Sequence, residues 1–291
     1  MTETNQTKSS SSKKKWFIGC GIGCGAVILI VIILIIGGVS YFKNIVNQFE
    51  NTEAMMSEII EKYGEIREYT PEADGSIDPY RIKLFLSARK SFSQQRESLE
   101  KSLAALSPGA SPEEIDVKTS KNVFKMIRLG FGLVPEIAEF YKNRNQALLE
   151  AGMGLGEYYY IYIISYYSWL KKSPEDGPDF QIIGSNNTIT FSDEEDIMEE
   201  RKEQIARHIH NIILPMMLNQ LKELNNDDAL KNKIEWKETL KEEIDSMEYD
   251  RLRIPWQDGL PEVIENSLRP FRRQLEESYS VLTSPLEVAM D

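Results

Sequence analysis

Residues 16–42 read WFIGCGIGCGAVILIVIILIIGGVSYF and contain no Asp, Glu, Lys or Arg. A helix needs about 20 apolar residues to cross the ~30 Å hydrocarbon core of a bilayer, so this run is long enough to span it with some tilt. A soluble helix of this length would show a polar face, and this one shows none. The alternative is a cleaved signal peptide, but its apolar region would be only ~7–15 residues long. The sequence therefore predicts one uncleaved transmembrane helix.

The charges on either side of this helix predict its orientation. Residues 1–15 carry four lysines and one glutamate, and Lys43 is the first charged residue after the helix. Basic residues are retained on the cytoplasmic side of a membrane. We therefore expect a single-pass protein of the cell membrane, with residues 1–15 as a disordered, basic cytoplasmic tail and the C-terminal domain extracytoplasmic.

The composition of the remaining chain limits its partners and its chemistry. The only cysteines, Cys20 and Cys24, lie inside the predicted span, so the exported part has neither a disulfide nor a cysteine nucleophile. The chain has a formal net charge of −12, and an acidic surface repels phosphate backbones. We expect no nucleic-acid partner and only one contact with the lipid bilayer, through the span itself.

The juxtamembrane region, residues 43–68, is predicted to be one continuous helix. Its apolar positions repeat alternately four and three apart, as on a heptad seam: Ile45, Phe49, Thr52, Met56, Ile59, Tyr63 and Ile66. This pattern fits a coiled-coil stalk or an amphipathic helix that packs on its own domain, and the sequence leaves both open. Within the span, Gly21 and Gly25 form a small-xxx-small pair. The candidate residues for self-association are Gly21, Gly25, Ile45, Phe49, Met56 and Ile59.

Residues 69–291 are predicted to form a helical bundle, so the fold class is mainly α. The predicted helices run from Pro79 to about Leu106, over about 119–129, from Pro135 to about Ala151, from Tyr158 to Leu170, from Ser192 to about Leu224, over about 227–247, and from Pro261 onward. Gly130 and Gly132 are expected to break the chain between two of them. Two short β-prone runs around a Gly/Ser/Asn turn in Phe180–Phe191 predict one short hairpin.

An aromatic run, YYYIYIISYYSWL, occupies residues 158–170. Periodicity alone does not separate a buried helix from a strand here, and the length of the run and its helical neighbours favour the helix. Core packing is the usual role of such rings. The alternative is a groove for a ligand or a partner, because Tyr and Trp are favoured in contact surfaces. The candidate groove residues are Tyr158, Tyr159, Tyr162, Tyr166 and Trp169.

No catalytic, cofactor or metal site is predicted. His208 and His210 are two apart on a helix and so point to different sides. Residues 74–78, DGSID, resemble the middle of an EF-hand loop, but Arg81 stands where the loop needs a bidentate glutamate. The glycine triplet at 152, 154 and 156 lacks the preceding strand and the spacing of a nucleotide loop. We therefore expect that the protein is not an enzyme.

These features together predict a membrane-anchored, extracytoplasmic helical interaction or scaffold protein. Its expected partners are the bilayer, through one span, and a second protein or further copies of itself. The alternative is a ligand-binding or sensory module that uses the aromatic groove. Because the cytoplasmic tail has only 15 residues, such a module would have to signal through a partner.

Overall fold

The computed structural model describes residues 52–105, 120–178, 181–183, 188–190, 194–226 and 234–288. Within these ranges the protein is mainly helical, as the sequence predicts. No helix among the described residues combines the length and the apolar character that crossing a bilayer requires. The predicted span at 16–42, together with Ile45 and Phe49, lies outside the described residues.

Ten helices are described. They are α1 (52–63), α2 (Pro79–Ser91), α3 (Ser93–Ala104), α4 (Ser120–Ala151), α5 (Leu155–Tyr162), α6 (Glu194–Asn226), α7 (Ile234–Tyr249), α8 (Glu262–Leu268), α9 (Arg272–Ser278) and α10 (Ser284–Val288). Short 3-10 helices cover Ile66–Glu68 and Arg269–Phe271, and a π-helix covers Ile163–Trp169. Strands β1 (Gln181–Ile183) and β2 (Thr188–Thr190) pair antiparallel, with Ile182 opposite Ile189, at the place of the predicted hairpin.

Helix α1 ends earlier than the predicted helix over 43–68. It stops at residue 63, and Gly64 follows with a φ of +84° while its N–H donates to the Ile60 carbonyl at 2.8 Å. This is the left-handed glycine ending that many helices use. Ile59 is fully buried and Met56 packs against the same core, so the described part of this helix packs on its own domain.

The predicted helix from Pro79 to about Leu106 is interrupted at Phe92. Its start is as predicted, because the Asp78 side chain caps it by accepting a hydrogen bond from the Tyr80 N–H at 2.8 Å. The break has a local cause. The Ser91 hydroxyl donates to the Ala88 carbonyl at 2.8 Å, which is the acceptor that the Phe92 N–H would use in a continuing helix. The Phe92 N–H bonds to the Lys90 carbonyl instead.

The predicted break at Gly130 and Gly132 is wrong. Helix α4 runs without interruption through both glycines and through Pro135. Each interior glycine costs about 1 kcal/mol relative to alanine. Helices α2 and α3 both pack along α4, and such tertiary packing supplies most of the stability of a helix in a protein.

The aromatic run is helical, as predicted. It forms α5 and continues directly into the π-helix, where the Leu170 N–H donates to the Ser165 carbonyl five residues back at 3.0 Å. Every residue from Met153 to Ser168 is buried. Helix α5 contacts α2, α6 and the 3-10 turn after α1, so this aromatic segment lies in the centre of the described core.

The C-terminal third follows the predicted order. Helix α7 is the described part of the helix predicted over about 227–247. In the turn at 253–259, Trp256 is buried and its ring lies against Trp236 with centroids 6.0 Å apart. Pro261 precedes α8, and the 3-10 turn that contains Pro270 separates α8 from α9.

Candidate functional site

The tyrosines singled out by the sequence lie in the core. Tyr158, Tyr159, Tyr162 and Tyr166 are all 0 % exposed, and Trp169 is partly buried. The Tyr162 and Tyr166 rings meet edge to face with centroids 4.6 Å apart. Their arrangement is that of a packed aromatic core. A ligand groove at this position stays a prediction.

A fully buried ion pair crosses this aromatic core. Arg89 of α2 and Glu287 of α10 are both 0 % exposed and lie 198 positions apart in the chain. The Arg89 Nη2 donates to Glu287 Oε1 at 3.0 Å and to the Ser278 carbonyl at 2.6 Å. The Tyr158 hydroxyl accepts from Arg89 Nη1 at 2.7 Å and donates to Glu287 Oε2 at 2.6 Å. Three side chains from three helices thus form one hydrogen-bonded network in the core, in which the Arg89 Nε alone of the arginine's nitrogens has no partner among the described residues.

The aromatic rings around Arg89 also stabilise its charge. The guanidinium lies over Tyr162 and Tyr166, 5.0 and 5.2 Å from their ring centroids. Burial lowers the pKa of Arg89, but Glu287 and the nearby tyrosines raise it more, so the net shift is upward. Burial raises the pKa of Tyr158 well above its usual range. The tyrosine is therefore a neutral donor and the arginine a cation at every physiological pH.

A second arginine is buried without a carboxylate. Arg144 is 0 % exposed, and its Nε and Nη2 both donate to Asn145 Oδ1, at 3.2 and 3.0 Å. It lies 5.0 Å from the Tyr141 ring centroid, and Nη1 is 3.4 Å from the Tyr159 hydroxyl. No acidic side chain of the described residues contacts it. Ring faces and one amide oxygen therefore stabilise its charge.

The glycine triplet at 152, 154 and 156 holds the end of α1 against the core. A Cβ on Gly154 would lie 2.8 Å from the Tyr63 Cβ, and one on Gly156 would lie 2.5 Å from the Ile66 carbonyl oxygen. Both positions thus need glycine for a close approach of two chain segments. The sequence suggested a comparison of the triplet with a nucleotide loop and did not reveal this packing role. The signal that could have indicated it is the spacing of the glycines, one at every second residue beside a helix end.

The EF-hand-like stretch at 74–78 and the two histidines are the remaining candidates for metal chemistry. Asp74 Oδ1 accepts from the Ser76 N–H at 2.9 Å, so the EF-hand-like stretch is a turn. No group of three or more His, Cys, Asp or Glu among the described residues could hold a metal ion. Burial, and then the positive charge of Arg251, lower the pKa of His210, so this imidazole is neutral at pH 7.

One surface feature stands out in the described part, and we call it the α6 groove. It consists of two cavities, of about 660 and 430 Å³, that share Leu252 between helix α6 and the turn after α7. The larger is lined by Glu175, Met198, Glu199, Lys202, Glu203, Ala206 and Leu252, and the smaller by Arg207, His210, Asn211, Arg251 and Leu252.

The turn that carries Leu252 is fixed by an ion pair. Arg253 binds Glu243 of α7 through two bonds, Nε to Oε1 at 3.0 Å and Nη2 to Oε2 at 2.8 Å. The Leu252 N–H donates to Asp250 Oδ1 at 2.9 Å. This bidentate geometry holds the turn in one position, so Leu252 projects from a rigid support.

The α6 groove combines apolar and charged side chains. Met198 and Leu252 are 42 % and 41 % exposed, although both are large and apolar. Ion pairs join Lys202 to Glu175 and Arg207 to Glu203, each at 2.8 Å. The sequence does not indicate this groove, because nothing local shows that Leu252 comes to lie beside the charged residues of α6.

No protein-family model, curated protein or solved structure matches this chain.

Proposed function

We propose that the chain is a membrane-anchored, extracytoplasmic helical interaction or scaffold protein whose contact surface is the α6 groove. The observation that carries the proposal is the exposure of Met198 and Leu252 on a rigid, charge-flanked concave surface. Apolar side chains surrounded by a polar rim are typical of protein interfaces. Isolated exposed apolar residues are common, but two that share one groove favour a contact site.

The packing of α1 against the core supports a role close to a membrane. The predicted span ends at residue 42 and the first described residue of α1 is Thr52, so nine residues, 43–51, lie between these two points. A chain of this length reaches at most ~30 Å even when fully extended. Since α1 packs into the core and the turn after it sits on Gly154 and Gly156, the α6 groove would be held at a limited distance from the bilayer.

The proposal predicts that a negative charge introduced into the α6 groove prevents the partner from binding. Leu252→Glu in the full chain is expected to lower the yield of crosslinked partner at least about tenfold, because burying an unpaired carboxylate in an interface is costly. The measurement is in-cell crosslinking followed by quantitative mass spectrometry. Val281→Glu is the matched control, since Val281 is also apolar and exposed but lies outside the groove. Equal yields for both variants would contradict the proposal.

The proposed topology predicts which cysteines an external reagent reaches. In a Cys20→Ser/Cys24→Ser background, Tyr80→Cys is expected to react with a membrane-impermeant maleimide in intact cells, because Tyr80 is 61 % exposed on the proposed outer side. Ser9→Cys in the basic tail is the matched control and should react only after lysis. The reverse pattern would place the helical domain in the cytoplasm.

A further inference from the structure

The charges of the α6 groove are ordered along its length. Among the described residues, three glutamates and one lysine line the larger cavity, whereas two arginines and no acidic residue line the smaller one. Leu252 lies between them, because it lines both. Glu199 and Arg207 are eight residues apart on α6, which is about 12 Å along a helix. This exceeds the screening length of ~8 Å at physiological salt, so Glu199 is largely screened from the basic cavity, while the Arg207–Glu203 ion pair joins the two cavities.

Two charges that line the α6 groove, one in each cavity, have no ion-pair partner within the described part of the chain. Glu175 and Glu203 are occupied by Lys202 and Arg207 respectively. Glu199, which lines the acidic cavity, and Arg251, which lines the basic cavity, make no ion pair with another described residue. They are therefore available to a charged partner, and a matching partner must carry the opposite order of charges.

We propose that two copies of the chain pair through the α6 groove about a twofold axis near Leu252. A twofold axis brings the same patch of each copy together in reverse order. Glu199 then faces Arg251 of the partner subunit, and Arg251 faces Glu199 of the partner subunit. Met198 and Leu252 supply the apolar centre. The opposite, parallel alignment would bring like charges together and is disfavoured.

Membrane anchoring adds to this pairing. A standard interface buries ~800 Å² per partner, which is more than a groove about 20 Å long is expected to supply alone. Tethering both copies to one bilayer raises their effective concentration, so a smaller contact suffices. To this extent the inference rests on the proposed function. Since both copies enter from the same side, the twofold axis must run along the membrane normal.

A single cysteine near the proposed axis tests the dimer. In full-length chain with Cys20→Ser and Cys24→Ser, Leu252→Cys is expected to form a disulfide with its own copy in oxidised membranes, because residues near a twofold axis come within the ~7 Å Cα distance that a disulfide allows. Most of the protein should then run at twice the 33.5 kDa mass of one chain. Tyr80→Cys, which is exposed but outside the groove, should stay at the mass of one chain.

Exchanging the charges at positions 199 and 251 distinguishes the proposed dimer from chance crosslinking. In the Leu252→Cys background, Glu199→Arg or Arg251→Glu alone is expected to reduce the disulfide-linked dimer at least about tenfold, and the two together should restore it. Failure of the pair to restore crosslinking would overturn the proposal. So would a Leu252→Cys chain that stays single or links to a different protein. In that last case the interaction role would stand while the dimer fails.

Discussion

Replacing Glu287 with glutamine is expected to destabilise the protein by about 3–5 kcal/mol, because it leaves the fully buried Arg89 guanidinium without a counter-charge. The glutamine amide also points hydrogen-bond donors at a guanidinium that can only donate. The loss should appear in chemical unfolding of the full chain in mild detergent, followed by tryptophan fluorescence. Glu242→Gln is the matched control, since Glu242 is exposed on α7 and should change stability by less than about 0.5 kcal/mol.

A double variant separates the ion pair from the packing around it. When both charges of a buried pair are replaced by apolar side chains of similar size, the loss is often small or even reversed. We therefore expect Arg89→Met/Glu287→Met to be clearly more stable than Glu287→Gln alone. If the double variant is less stable than either single change, the network stabilises the core mainly through its hydrogen bonds to Tyr158 and Ser278.

Gly75→Ala is expected to cost about 2–4 kcal/mol. Gly75 has a φ of +82°, in the left-handed region that costs other residues roughly 1–2 kcal/mol. Its added Cβ would also lie 2.5 Å from the Trp236 ring. That ring is fixed on the other side by Trp256 and by its own Nε1–H, which donates to the Ala73 carbonyl at 3.0 Å. Such overpacking typically costs about 1–3 kcal/mol.

Gly64→Ala is the control for Gly75→Ala. Gly64 has nearly the same φ, +84°, but the nearest atom to an added Cβ is the end of the flexible Glu68 side chain at 3.2 Å. The two variants share the backbone strain, so the difference between their unfolding free energies measures the contact with Trp236. Equal losses in both would show that the Trp236 ring moves aside at no cost.

Local signals in the sequence predict those elements whose cause is local. The start of α2 follows from Asp78 and Pro79, and the start of α8 follows from Pro261. The break at Phe92 depends on one hydroxyl that competes for one carbonyl, and serine shows this behaviour in some helices only. The continuity of α4 through Gly130 reflects packing that the local sequence does not contain.

The buried ion pair and the α6 groove depend on distant residues, which is why the sequence did not predict them. Arg89 looks like a solvated helix residue until Glu287 is placed beside it, 198 positions later. The α6 groove exists because Leu252 folds back against a helix that passes Met198 some fifty residues earlier. A single sequence carries no record of which distant residues come to lie together.

The separation of Arg89 and Glu287 along the chain also sets a delay between the synthesis of the two residues. Ribosomes add ~5–20 residues per second, so the carboxylate is made on the order of 10–40 s after the guanidinium that it will neutralise. During this interval α2 and the tyrosines of α5 are already synthesised, but Arg89 cannot be buried without cost. The nascent core is therefore expected to stay open, and accessible to chaperones, until the last helices have been made.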